Sequence, residues 1–342
     1  MAYQPYLGGE LPNLVNITKR LDPDGNIANI AELLSEMNPI IKDIPMIEGN
    51  LTLGHRTTVR SDLPEPAWRK LNYGTRPTKS MTAQVDDGMG MLEDWAEVDK
   101  DLASLNGNTA EFRLSENSPH LEGMAQKMAN TIFYGDPANN VDEFLGIAPR
   151  YDSFTMEGKP AARVGSTHLP NVIDNGDTVT TDMTSIYYIV WGVNTVHGIY
   201  PKGSEVGLLD EDLGLVTLYD NDGGRFRGYQ SHYQWKMGLC VRDWRYVSRL
   251  CNIDLLKLDD ETAQATLYKN MVKMMHAIPQ AGRKRGVFYC GAAISAMLDL
   301  AALNKTSGVV GYKKVFGEEI LTFRGRPIRE CDAIMENEAQ II

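Results

Sequence analysis

Residues 55–80 read HRTTVRSDLPEPAWRKLNYGTRPTKS, and this stretch constrains the fold more than any other part of the chain. It holds six lysines and arginines against two acids, which gives it a net charge of +4. Residues 81–101 reverse the sign, with seven acids against one lysine. A long basic excursion beside an acidic segment is typical of an arm that binds a neighbouring copy. The basic residues of this arm are Arg56, Arg60, Arg69, Lys70, Arg76 and Lys79.

Both ends of the arm alternate as strands do. Arg56 and Arg60 are four residues apart, so a strand places them on one face. In the returning segment Met81, Ala83 and Val85 alternate with polar residues. The two segments therefore predict a β-hairpin.

The connection between these strands is long and contains Pro64, Pro66 and Pro77. A structureless loop of this length is unusual in a compact domain unless it has a function or a partner. Trp68 and Tyr73 lie in its middle. An exposed tryptophan at the end of a hairpin indicates burial against another molecule.

Composition and charge limit the function classes. The chain has 342 residues, 43% of them hydrophobic and 23% charged, which is ordinary for one large or two smaller folded domains. The net charge is −11 and the pI about 5.1, which argues against a dedicated nucleic-acid reader. Since the arm carries +4, the rest carries −15, and this asymmetry favours self-association. The acids expected to receive the arm are Glu93, Asp94, Glu97, Asp99 and Asp101.

The sequence predicts a reduced, soluble protein used inside a cell. Its four cysteines are far apart and form no CxxC pair, so neither a disulfide framework nor a zinc motif is expected. The first eleven residues lack the basic and apolar regions of a signal peptide. No stretch approaches the roughly 20 apolar residues that span a bilayer.

Catalytic motifs are not found. The six histidines lie in six different contexts without an HExxH pair. The chain has no GxSxG elbow and no phosphate-binding loop, and residues 220–224 (DNDGG) fit a polar turn better than a calcium loop. We therefore expect no enzyme activity, no cofactor and no metal.

The remaining periodicities predict a mixed architecture. Residues 26–38 and 259–277 form amphipathic helical stripes. A helix is expected over residues 108–135, with Pro119 restricting its long part to a start at Ser118. Residues 186–193 suit a fully buried strand.

Further along, the pattern changes to period two. Residues 228–241 alternate strongly, and a phase change after Arg242-Asp243 predicts a β-bulge. Residues 286–304 predict a strand, a glycine turn and a helix, and residues 320–334 a closing strand or hairpin. This order of elements indicates an α+β fold.

Five segments carry a resemblance to a known family. They are KRLDPDGNIANIAELL (19–34), EGNLTLGHRTTVRSDLPEPAWRKLNYG (48–74), AEVDKDLASLNGNTAEFRLSE (96–116), IYPKGS (199–204) and RDWRYVSRLCNID (242–254). The sequence resembles major capsid proteins of tailed double-stranded DNA phages with the Hong Kong 97-type fold. More narrowly, it is similar to coat proteins of the epsilon-fifteen-like short-tailed phages.

The resemblance implies a domain organisation. Residues 1–45 would be the N-terminal arm and 46–105 the extended hairpin called the E-loop. Residues 106–139 would be the spine helix of the P domain, and 140–310 the A domain with P-domain strands around 228–250. Residues 311–342 would close the P domain. In this fold the E-loop lies across an adjacent subunit, in agreement with the charge pattern.

The resemblance also implies a function. The chain would assemble into hexamers and pentamers of an icosahedral head around packaged double-stranded DNA, in the host bacterial cytoplasm, and remain in the virion. Contact with DNA would be non-specific and confined to the inner face. Scaffolding, portal and cementing proteins are possible partners, and a membrane is not expected. The E-loop residues expected at the interface are Arg56, Arg60, Trp68, Arg69, Lys70, Arg76 and Lys79.

Alternatives remain at this point. A minor virion or head-completion protein would form a single ring, and an encapsulin-like shell would enclose an enzyme. Some members of the wider fold cross-link subunits by a Lys–Asn isopeptide bond. Lys70 and Lys79 would be the lysines available in the arm, but the sequence identifies no acceptor.

Overall fold

The computed structural model describes residues 38–105, 109–154, 171–176, 182–220, 223–303, 310–315 and 318–341. Two predictions lie outside the described residues. They are the N-terminal helix, except for its last residue, Asn38, and the start of a helix at Asn108. The chain divides into two compact units. The first includes residues 91–128 and 205–236, and the second residues 38–90, 129–204 and 237–341.

The described elements confirm the α+β class. The helices are α1 Ile40–Asp43, α2 Lys100–Ser104, α3 Thr109–Tyr134, α4 Glu261–Ala277 and α5 Ala292–Leu303. The strands are β1 Met46–Glu48, β2 Gly54–Asp62, β3 Met81–Asp99, β4 Val172–Asp174, β5 Met183–Ile189, β6 Val196–Tyr200, β7 Leu208–Tyr219, β8 Arg225–Val241, β9 Val247–Asp254, β10 Val287–Cys290, β11 Val310–Val315, β12 Glu318–Phe323 and β13 Arg326–Glu330. Short 3-10 turns lie at Ala148–Tyr151, Trp244–Tyr246 and Leu255–Lys257.

In the first unit, β7 and the first part of β8 form an antiparallel hairpin, from Leu208 opposite Trp235 to Tyr219 opposite Arg225. This confirms the period-two prediction. Gly223 N donates to Asp220 O at 3.1 Å at the start of the connection. Of the residues predicted to be a polar turn, the described ones, Asp220, Gly223 and Gly224, lie between β7 and β8.

Helix α3 corrects the prediction for Pro119, because the helix runs through this residue from Thr109 to Tyr134. A proline inside a helix costs about 3 kcal/mol or more. Buried side chains on both sides offset this cost: Phe112 packs with Val98, and Met124 packs with Tyr233. Burying such a side chain contributes roughly 1.5–3 kcal/mol. Tertiary packing therefore overrides the local effect of Pro119.

The second unit contains a seven-stranded sheet in the order β11-β12-β13-β10-β5-β9-β4. Every residue of β5 and β9 is buried, as the apolar run at residues 186–193 predicts for its strand. Helices α4 and α5 place Leu267, Met271 and Leu298 in one core cluster with Ile186 and Phe288 of the sheet. The predicted helix near residue 260, the strand-turn-helix and the closing hairpin are all confirmed.

The predicted β-bulge after Arg242-Asp243 is wrong. Strand β8 ends at Val241, and a 3-10 turn over Trp244–Tyr246 leads into β9 of the seven-stranded sheet. Asp243 caps this turn, since its Oδ1 accepts from Arg245 N at 3.1 Å. The phase change therefore marks a transfer of the chain from one sheet to another.

A buried ion pair fastens the C-terminal tail to the second unit. Arg249 Nη2 lies 2.8 Å from Glu338 Oε2, and both side chains are about 95% buried. Tyr134 Oη donates to Glu338 Oε1 at 2.5 Å, and Ser185 Oγ donates to Oε2. The described helices include none that is both long and apolar enough to cross a membrane.

Candidate functional site

The arm is a β-hairpin, as its alternation predicts. Strand β2 pairs antiparallel with the start of β3, from Gly54 opposite Gly88 to Arg60 opposite Thr82. Arg56 and Arg60 are exposed, whereas Thr57 between them is buried. The two arginines therefore share the outer face of the strand.

Arg56 forms an ion pair inside its own hairpin. Its Nε and Nη2 atoms donate to the two carboxylate oxygens of Asp86 on the neighbouring strand, each at 2.6 Å. These hydrogen bonds lower the pKa of Asp86 and raise that of Arg56. Within the part of the chain that the structure describes, the other five basic residues of the arm make no ion pair. Those five are Arg60, Arg69, Lys70, Arg76 and Lys79.

The connection between the strands, residues 63–80, contains no helix or strand, and every residue in it is exposed. Trp68 is fully exposed, and Leu63, Leu71 and Tyr73 are each at least two-thirds exposed. Tyr73 N donates to Lys70 O at 3.2 Å and closes one turn. An apolar group of this kind on an extended loop is a surface that binding would cover.

Most of the acids predicted to receive the arm have partners in the first unit. Glu97 Oε1 accepts from Gln230 Nε2 at 2.7 Å, and Gln234 donates to Glu93. Asp94 Oδ2 lies 2.6 Å from His120 Nδ1. Hydrogen bonding to a partner does not remove a carboxylate's charge, so these residues still contribute a negative surface.

Asp99 has a structural role at the start of α2, where its Oδ1 accepts from Asp101 N at 2.7 Å and from Leu102 N at 3.4 Å. This is the N-cap arrangement, typically worth about 1 kcal/mol. Among the five predicted acids, Glu93 and Asp101 are the exposed ones. They are the acids best placed to meet an incoming charge.

A second group of polar residues, at the base of the arm, is not indicated by any motif in the sequence. One sheet has the strand order β1-β6-β8-β3-β2, with β7 also paired to β8. His55 on β2 lies opposite Asp87 on β3, and His197 on β6 lies opposite Cys240 on β8. Their strands are adjacent in the sheet, but the residues are up to 185 positions apart in sequence. Spacing motifs therefore miss them, and only the strand registers bring them together.

This second group is buried and polar. Burial, with a smaller contribution from His55, lowers the pKa of His197 to about 4, so its ring is neutral near pH 7. Burial and the neighbouring Asp87 carboxylate raise the pKa of Cys240 far above its usual range. Arg150 Nη2 donates to Asp87 Oδ1 at 2.8 Å and balances the charge of that carboxylate.

Comparisons with known proteins agree with the fold. The family model for major capsid protein GP7 matches residues 22–342. A chain of the near-atomic cryo-EM structure of bacteriophage epsilon15 is 31% identical, with a TM-score of 0.76, and the match covers 99% of this chain and 99% of that one. A search of curated proteins finds no match.

More distant likenesses are also found among solved capsids. The bacteriophage JBD30 capsid matches with a TM-score of 0.48 and 8% identity, covering 96% of each chain. The capsid of the native GTA particle matches with a TM-score of 0.43 and 11% identity, covering 68% of this chain and 95% of that one.

The family match decides among the alternatives that the sequence left open. It covers most of the chain and describes a major capsid protein, which a minor virion component or an enzyme compartment would not be. The full-length likeness to the epsilon15 chain supplies the fold, which is of the Hong Kong 97 type. The chain therefore belongs to the major capsid protein GP7 family and forms the icosahedral shell of a bacteriophage virion.

Proposed function

We propose that the arm of each subunit lies across an adjacent subunit and joins the subunits into hexamers and pentamers. The observation that carries this proposal is the exposure of the whole segment 63–80, with Trp68 fully exposed. In a single subunit this segment buries no side chain that would hold it in place. In a shell a neighbouring copy would supply the missing contact.

The apolar residues of the arm would provide the binding free energy. Covering apolar surface contributes roughly 25 cal/mol per Å². Tryptophan, tyrosine and arginine dominate the energetic centres of protein interfaces, and the segment contains Trp68, Arg69 and Tyr73 in close succession. Each contact is modest, but every copy in a closed symmetric shell makes several of them.

The charges of the arm would fix its register on the neighbour. Five basic residues of the arm have no ion-pair partner among the described residues: Arg60, Arg69, Lys70, Arg76 and Lys79. The acids of the neighbour would include Glu93 and Asp101. Arg56 would contribute least, because Asp86 of its own hairpin already binds it. Charge complementarity of this kind guides encounter and orientation more than it adds affinity.

The remaining parts of the proposal concern where the shell assembles and what else it contacts. The shell would assemble in the host bacterial cytoplasm, with scaffolding, portal or cementing proteins as further partners. Packaged DNA would contact the inner face without sequence preference. A net charge of −11 repels phosphate, so this contact would be weak.

Reversal of two arm charges tests the proposal. We expect the double variant Arg69→Glu/Lys70→Glu to give folded subunits that do not assemble, as seen by size-exclusion chromatography and negative-stain microscopy. The matched control is Lys202→Glu/Lys313→Glu, which makes the same charge change at two exposed lysines outside the arm. Shells of normal size and yield from the arm variant would contradict the electrostatic part of the proposal.

A further inference from the structure

Four side chains with metal-binding atoms lie in one row across the base of the arm. His55 and Asp87 face each other on β2 and β3, and His197 and Cys240 face each other on β6 and β8. Directly opposite residues of an antiparallel pair project to the same face of the sheet. The order β6-β8-β3-β2 makes these four strands consecutive neighbours.

Three of these side chains converge. One ligand atom each from His55, His197 and Cys240 lies within 4.8 Å of the other two. His197 and Cys240 are 1% and 0% exposed, and His55 is half-buried. Two imidazole rings and a thiol form the donor set that zinc prefers among divalent ions.

The same row contains polar atoms without a hydrogen-bond partner among the described residues. They are both ring nitrogens of His197, Nδ1 of His55 and Oδ2 of Asp87. An unpaired buried polar atom typically costs about 1–3 kcal/mol, so such atoms are unfavourable in a folded core. A bound ion would accept a lone pair from one nitrogen of each imidazole ring and so reduce this penalty.

We propose that His55, His197 and Cys240 bind a divalent transition-metal ion, preferentially zinc. At zinc–nitrogen and zinc–sulfur bond lengths of roughly 2.0–2.3 Å, tetrahedral ligand atoms lie about 3.5 Å apart. Because the three ligand atoms already lie within 4.8 Å of one another, the cluster would contract by no more than about 1.3 Å to reach this spacing. This proposal does not depend on the proposed docking of the arm on an adjacent subunit.

Binding is balanced by the release of one proton. The S–H bond of Cys240 breaks, the sulfur electron pair forms the bond to the metal, and the proton passes to the buffer. The two imidazoles donate lone pairs without losing a proton when their rings are neutral. The oxidation state of the metal does not change. The ion would connect β2 of the hairpin to β6 and β8 and so brace the base of the arm.

Metal content after refolding tests this site. The full chain is unfolded and refolded with excess Co²⁺ or Zn²⁺, because the buried ligands need access, then dialysed and measured for metal by mass spectrometry. We expect about one ion per subunit, and with Co²⁺ a thiolate-to-metal charge-transfer absorption. Cys240→Ser and His197→Gln should each lower the affinity at least about tenfold. The control Cys290→Ser changes another buried thiol and should bind normally.

If a variant fails to fold, the metal content of the refolded wild-type chain still decides the test. A refolded wild-type chain without stoichiometric metal and without the thiolate absorption would overturn the proposal. Equal metal content in the wild type and in a folded Cys240→Ser variant would also overturn it.

Discussion

At the scale of single residues, the arm and the core use charge in opposite ways. Arg69 and Lys70 are exposed and unpaired among the described residues, so their charges are available to another molecule. Arg249 and Glu338 are buried and paired at 2.8 Å, so their charges serve the subunit itself. Changes at the first pair should affect assembly, and changes at the second pair should affect folding.

Trp68 should matter for assembly and not for folding. Because its side chain is fully exposed in the subunit, Trp68→Ala removes no intramolecular packing. Loss of a central interface tryptophan typically costs about 2 kcal/mol or more of binding free energy, about thirtyfold or more in affinity at each contact. We expect unchanged urea unfolding of the subunit and a higher critical concentration for shell formation, measured by light scattering. An unchanged critical concentration would mean that Trp68 is not an anchor.

Glu338 should matter for folding. Glu338→Gln leaves the Arg249 guanidinium buried without a countercharge, and breaking a buried pair in this way costs about 3–5 kcal/mol. We expect a lower urea midpoint for the unassembled subunit. Glu336→Gln, at an exposed position two residues earlier, is the matched control and should unfold like the wild type. Equal midpoints for both variants would contradict the assigned role of the ion pair.

At the scale of elements, local patterns predicted most strands and helices. Period two located β8, and helical spacing located α4, because apolar residues recur on one face of each element. Two predictions failed where tertiary contacts decide. Pro119 lies inside α3, since Phe112 and Met124 are both packed, and the phase change after Asp243 marks entry into another sheet.

Sequence patterns also predict functional sites only where the residues are contiguous, as a comparison of the arm with the cluster at its base shows. The arm is contiguous in sequence, so its charge and its prolines are evident from the order of the residues alone. The cluster of His55, His197 and Cys240 comes from three strands, and nothing in the sequence indicates which strands are neighbours. Likewise, the pairing of Arg56 with Asp86 depends on the hairpin register.

At the scale of the whole molecule, we propose that neighbouring copies complete the subunit. The core clusters and the buried tail stabilise the subunit itself, whereas every residue of segment 63–80 is exposed. Such a surface agrees with membership of the major capsid protein GP7 family, whose members assemble into shells. We therefore expect another copy of the chain to cover this segment in the assembled shell.

A cryo-EM map of shells formed by the full chain would show directly what covers the segment. We expect residues 63–80 to be ordered in the shell and to lie across an adjacent subunit, with the Trp68 side chain buried there and Arg69 or Lys70 near acids of that subunit. A shell in which this segment packs on its own subunit, or leaves Trp68 exposed to solvent, would contradict the proposed role of the arm.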